Sequence, residues 1–161
     1  MESHPPDFIK INCDASLRDE GWVGVGAVAR NDRGEVLFAG TRRSRGCWPP
    51  EIAEGKAILF GLKLARRYGL KHVIVESDSQ VTINRLSKAV TYFSDFDSVL
   101  DDIMFVSKFL DFVSWSHVRR DGNVIAHYLA RLVPFGSEQI WENHCPSEIA
   151  PYVLMDNLSK P

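Results

Sequence analysis

The chain has 161 residues, 45% of them hydrophobic, with 19 Lys and Arg against 21 Asp and Glu, a net charge of −2 and a pI near 6.2. That length and apolar content set one domain with a core of its own, expected over residues 1–161, with the core at about 7–133 and a tail at 134–161. The near-neutral balance excludes a chain whose overall charge demands a polyanionic partner, and no apolar run is long enough to span a bilayer.

Met1-Glu2-Ser3-His4-Pro5-Pro6 lacks the apolar stretch of a secretory leader. The three cysteines, Cys13, Cys47 and Cys145, are odd in number and lack metal-site spacing, which suits a reducing compartment. A soluble intracellular protein, nuclear or cytoplasmic and monomeric, is expected, with no membrane contact and protein partners undefined. Residues 8–14 read as a strand, and Trp22 to Ala29 as a second with glycines where a side chain would crowd a neighbour. Asn31-Asp32-Arg33-Gly34 marks a turn, and Val36 to Gly40 a third strand, so the first forty-odd residues form an antiparallel meander. Helical spacing of Ala53, Ala57, Ile58, Leu62 and Ala65 gives a helix over 50–68, opened by Pro49-Pro50 and stopped by Gly69. Val73 to Val75 is a short β-branched run of the kind found in buried parallel strands. Ser79 caps a helix bearing Val81, Ile83 and Leu86, and a further helix carries Phe96 through Val106. Phe112 to Val118 is a fifth strand, Ala126 to Val133 a closing helix, and the residues after Pro134 an irregular tail with Trp141.

This order predicts an α/β fold: a five-stranded mixed sheet, with a three-strand antiparallel meander plus two parallel strands and helices on both faces. With the first and fourth strands as parallel neighbours, Asp14 and Asp78 fall near their carboxyl ends, where α/β sheets bind ligands. Glu54, early in the helix that follows the meander, leans over the same edge. Each acid alone reads as a turn or helix-dipole residue. Together they offer oxygen-only ligands, favouring Mg²⁺ or Mn²⁺ over zinc, and two such ions about 4 Å apart suit phosphodiester hydrolysis.

Four strings now carry a resemblance. Asn12-Cys13-Asp14-Ala15-Ser16 with Gly24-Val25-Gly26-Ala27-Val28 resembles the opening of the type 1 ribonuclease H (RNase H) domain. Ala53-Glu54 with Ala57 and Gly61-Leu62 resembles its catalytic helix, Glu76-Ser77-Asp78-Ser79-Gln80 its third acidic motif, and Arg120-Asp121-Gly122-Asn123-Val124-Ile125-Ala126-His127-Tyr128-Leu129-Ala130 its last. The tail with Trp141 is similar to the plant branch, the reverse-transcriptase-like RNase H domains related to non-LTR retroelements. The resemblance covers about residues 7–133 and implies an RNase H-like fold that cleaves the RNA strand of RNA/DNA hybrids with two Mg²⁺ ions.

It further implies Asp14, Glu54 and Asp78 as metal ligands, with Asp14 bridging both ions; Glu51, one helical turn earlier, shares the face but fits the spacing less well. Contacts to substrate are expected at Asn12, Ala15, Ser16, Ser79, His117, Arg120 and Asn123. His117 is either an aid to proton transfer or an ordinary strand-end histidine, and Asn123 more readily caps the last helix. At the fourth acidic position most members carry Asp and this chain carries His127, a poorer Mg²⁺ ligand. It is read as metal-proximal, as an acid–base group, or as a plain edge histidine; weaker binding of one ion, slower turnover and a preference for Mn²⁺ are expected. The connection at 89–95 has no basic residue, so hybrid binding should be weak and salt-sensitive. The basic clusters Arg42, Arg43, Arg45; Arg66, Arg67, Lys71; and Arg119, Arg120 each read singly as solvated faces. The competing reading is a catalytically reduced nucleic-acid- or protein-binding module domesticated from a retroelement. A 3′–5′ exonuclease is disfavoured, because Asp14-Ala15-Ser16 lacks the second acid of an Asp-x-Glu pair.

Overall fold

Largely apolar segments over residues 9–45, buried on both faces through most of β2, build three long strands, β1 (Ile9–Arg18), β2 (Trp22–Arg30) and β3 (Val36–Arg45), paired antiparallel with Asp14 opposite Gly26 and Gly26 opposite Thr41. The structure, a computed structural model, describes residues 8–18, 21–88 and 95–158. The expectations for Met1–Pro6 and for most of the connection at 89–95 lie outside these residues. At the β2–β3 turn, Asn31 Oδ1 accepts from the N–H groups of Arg33 and Glu35, as turn-forming Asn does.

β4 (His72–Ser77) pairs parallel with β1, and β5 (Phe112–His117) pairs parallel with β4. A sixth strand, β6 (Glu138–Glu142), adds antiparallel to the outer edge of β3, giving the order β5-β4-β1-β2-β3-β6. The sheet therefore has six strands where five were expected, and the tail read as irregular supplies both β6 and the helix α5 (Ala150–Leu158). Glu138-Gln139-Ile140-Trp141-Glu142 has no clean alternation of its own; the open edge of β3 organises it. Trp48 and Trp141 are partly buried and pack on the two cores.

The helix α1 (Pro50–Arg67) has proline in its first turn and ends at Gly69, whose φ of +71° permits the closing turn. There the Gly69 N–H bonds the Arg66 carbonyl and the Leu70 N–H bonds the Ala65 carbonyl. α1 lies on one sheet face over Ile11, Cys13 and Ala27, with α3 (Asp95–Ser107) packed beside it. Between them in sequence, α2 (Gln80–Lys88) is capped by Ser79 Oγ, which accepts from the Thr82 N–H at 3.4 Å. The helix α4 (Val124–Arg131) covers the opposite face. Among the described residues, no helix is long and apolar enough to cross a membrane.

The close seat of α4 depends on two glycines of β2. A Cβ on Gly24 would meet the Ala130 carbonyl at 2.0 Å, and one on Gly26 would meet the Ala130 nitrogen at 2.5 Å and the Ala126 carbonyl at 2.6 Å. These contacts are helix backbone, which cannot rotate away. Gly26→Ala should therefore lift α4 off the sheet and lower stability by about 2 kcal/mol or more, measured by urea unfolding, whereas alanine at solvent-facing Gly69 should cost less.

Candidate metal centre

Register places the first two acids. The parallel pairing of β1 with β4 ends at Cys13 opposite Ser77. Asp14 and Asp78 are each the next residue, side by side where the ladder stops. β1 itself continues to Arg18 beside β2, so Asp14 closes the parallel pairing rather than the strand, as the sequence reading had placed it. The Ala15 N–H, beyond that last pair, donates to Glu54 Oε1 at 3.0 Å and ties α1 to the strand. Ligand oxygens of Asp14, Glu54 and Asp78 all lie within 4.8 Å of one another. Glu51 is exposed and outside this cluster.

Electrostatics at this point oppose three negative charges. Burial, and then the neighbouring charges of Asp14 and Asp78, push the Glu54 carboxyl up to about 9, against the Ala15 hydrogen bond that favours ionisation. Asp78 is raised by burial and by Asp14, with Arg120, His127 and His117 pulling the other way. Glu54 Oε2 is buried without a hydrogen-bond donor among the described residues. A buried, unpartnered oxygen among three converging carboxylates is what a hard divalent cation would satisfy, so these residues fit Mg²⁺ or Mn²⁺.

His127 sits one helical turn into α4. The glycine-permitted approach of that helix brings its Nδ1 to 3.0 Å from Asp14 Oδ2, with the side chain about half exposed (48%). The fourth motif position therefore joins the cluster through Asp14. Asp14, Ala15, Glu54, Asp78, Arg120 and His127 line one cleft of about 320 Å³. Val124 and Tyr128 complete its wall. Neither was singled out from sequence, although both flank His127 on the same helix. Tyr128 stacks on Tyr152 of α5 at 4.2 Å between ring centres, a contact with no local sequence signal.

Several expected substrate contacts lie elsewhere. Asn12 and Asn123 are each 1% exposed and face the protein interior. Asn12 Nδ2 donates to Glu76 Oε1 (3.0 Å) and Asn123 Oδ1 (3.1 Å), and its Oδ1 accepts from Arg30 Nη2 (3.2 Å). Asn123 Nδ2 donates to the Cys13 carbonyl at 2.8 Å, so its side chain bonds β1 and makes no capping bond to α4. Arg30, also buried, reaches on to Asp156 of α5. This network forms a polar floor beside Asp14, and both asparagine side chains are engaged in it. Ser16 and Ser79 are outside the cleft lining, and the Ser79 hydroxyl is used in capping. His117 ends β5 exposed, close enough to Asp78 to act on its charge.

The chain belongs to the reverse transcriptase-like family, whose model matches residues 12–133. Solved structures sharing the fold include RNase H1 from the halophilic archaeon Halobacterium salinarum (24% identity over 77% of this chain and 95% of that one, TM-score 0.71). The N-terminal RNase H domain of a Mycobacterium tuberculosis protein is similar at 21% identity over 77% of this chain and 91% of that one, TM-score 0.69. A third, LC11-RNase H1, in complex with an RNA/DNA hybrid, is 18% identical over 76% of this chain and 94% of that one, TM-score 0.69. No curated protein matches the chain.

The raised Glu54 carboxyl has a measurable consequence. Metal-free folded protein holds a proton that the unfolded chain releases near 4.5, so this group's contribution is complete below 4.5 and is lost as pH rises through about 9. In chelator, the melting temperature should fall across that window. Glu54→Gln should flatten the fall, and Mg²⁺ should raise the melting temperature most at the alkaline end.

Proposed function

We propose that the protein is a metal-dependent endoribonuclease that hydrolyses the RNA strand of RNA/DNA hybrids, with Asp14, Glu54 and Asp78 holding two Mg²⁺ ions, or Mn²⁺ in their place. The observation carrying this reading is the convergence of three carboxylates within 4.8 Å around a buried Glu54 oxygen that lacks a donor. Bound cations there would supply an activated water and charge neutralisation at the leaving oxygen of a phosphodiester. The four motif strings and the family membership support the same reading.

The chain's own residues divide the remaining work. The Asn12–Asn123–Arg30 network fixes the strand at the Cys13 carbonyl next to Asp14, His127 contacts the Asp14 carboxylate, and Glu54 accepts from the Ala15 N–H, so both carboxylates are positioned before substrate arrives. Arg120 lines the cleft as a cation beside Asp78, suited to a substrate phosphate. His127 and His117 flank the acids and are the imidazoles placed to act as proton donors or acceptors. Discrimination of RNA from DNA would rest on the ribose 2′-hydroxyl, met by groups near Ala15 and Glu54.

One observation favours a second reading, a catalytically reduced binding module. His127 Nδ1 lies 3.0 Å from Asp14 Oδ2, a side-chain contact that gives Asp14 a hydrogen-bond partner without a metal. The two readings separate in a cleavage assay with a labelled RNA/DNA hybrid in Mg²⁺ and in Mn²⁺. The nuclease reading expects cleavage that Asp14→Asn lowers at least about 100-fold, and expects His127→Asp to raise activity in Mg²⁺ by about tenfold. Folded protein inactive in both metals would establish the binding module.

A further inference from the structure

Members of two of the basic clusters that read as solvated in sequence, Arg42 and Arg45 from one and Arg67 from another, meet Lys56 and Lys63 in one groove. Lys56, Lys63 and Arg67 fall on one face of α1, a stripe about 16 Å long at 1.5 Å per residue. Facing them across the sheet margin are Arg42 and Arg45 of β3, and Trp48 stands at the head of the helix. The groove between has a volume of about 410 Å³ and an apolar floor that includes Val25, Phe60 and Leu64. Its acidic lining residue is Glu138, 3.7 Å from Arg42. Among the described residues, Arg45, Lys56, Lys63 and Arg67 have no carboxylate within ion-pair distance. Arg45 and Lys56 instead lie over the rings of Trp22 and Trp48, at 4.6 Å and 4.4 Å. A chain of net charge −2 thus concentrates five cations and an indole in one slot.

The Arg45 and Trp48 end of the slot lies toward the sheet edge that carries the acids. β1 runs from Asp14 to Arg18, about 13 Å along the strand. Arg18 is in register with Trp22, and Trp22 with Arg45. At the other side, the chain from Trp48 leads directly into the helix that bears Glu54. Resting on the nuclease reading above, we infer that this groove binds an unpaired nucleic-acid strand that continues from the hybrid held at the acidic cleft. Cations beside an aromatic ring over an apolar floor match the phosphates and base faces of a single strand. A polypeptide of acidic residues alone, such as poly-glutamate, would use the cations but carries no ring to stack on Trp48.

The test compares a blunt hybrid with the same hybrid carrying a single-stranded extension of about 12 nucleotides, by fluorescence anisotropy in chelator. The wild type should bind the extended substrate at least about tenfold tighter, the equivalent of one stacked base. In the variant combining Lys56→Ala, Lys63→Ala and Arg67→Ala, that advantage should vanish. Its log–log salt slope for the extended substrate should fall by about 2, at roughly 0.7 per lost phosphate contact. Cleavage of the blunt hybrid in metal should be unchanged. If the triple variant does not fold, Lys63→Glu at its exposed position carries the same comparison. Equal wild-type affinity for the two substrates, or an equal loss for both in the variant, overturns the inference. So does displacement of the extension by poly-glutamate at lower concentration than by a DNA strand. An extension advantage that the variant loses, in a protein that cleaves nothing, upholds the groove and rejects the nuclease; cleavage without an advantage does the reverse.

Discussion

Three carboxylates held within 4.8 Å of one another form an arrangement that electrostatics opposes, and the rest of the structure can be understood as the means of enforcing it. Two of the acids come from neighbouring parallel strands at the residue where their pairing stops. The third is locked by a backbone N–H that the end of that pairing leaves available. Neither arrangement relieves the repulsion. The Glu54 carboxyl stays far above its ordinary range and one of its oxygens stays unpartnered. A ligand of positive charge at this point would relieve that repulsion.

The opposite face of the sheet contributes through absence of side chains. Gly24 and Gly26 let α4 lie against β2 backbone, which sets the depth of His127 and brings its ring to Asp14. Beneath, the Asn12–Asn123–Arg30–Asp156 network joins β1, the start of α4, β2 and α5 in one buried polar unit. Such networks are costly when half satisfied and specific when complete. α5 lies beyond the family match, which ends at residue 133, yet reaches the floor of the site through Asp156 and its wall through Tyr152.

Much of this was legible in the residues. The meander, α1 with its glycine stop, the Val73–Val75 strand and the spacing of Asp14, Glu54 and Asp78 follow from periodicity and turn chemistry acting locally. β6 was not, because Glu138–Glu142 is ordered by the edge of β3 and not by its own pattern. Asn12 and Asn123 beside the acids looked like substrate contacts; sequence does not reveal that a buried arginine 18 residues from Asn12 takes its oxygen. The basic groove was hidden for a related reason. Its cations come from two elements, and only the packing of α1 beside β3 adds their charges together.

The central claim is that the three acids form a divalent-cation site, and diffraction from crystals soaked in Mn²⁺ tests it most directly. The account predicts anomalous density between the carboxylates of Asp14, Glu54 and Asp78, removed by Asp14→Asn and by competition with excess Mg²⁺. Crystals with Mn²⁺ ordered elsewhere and none among these three side chains, at a pH where they are ionised, would contradict it.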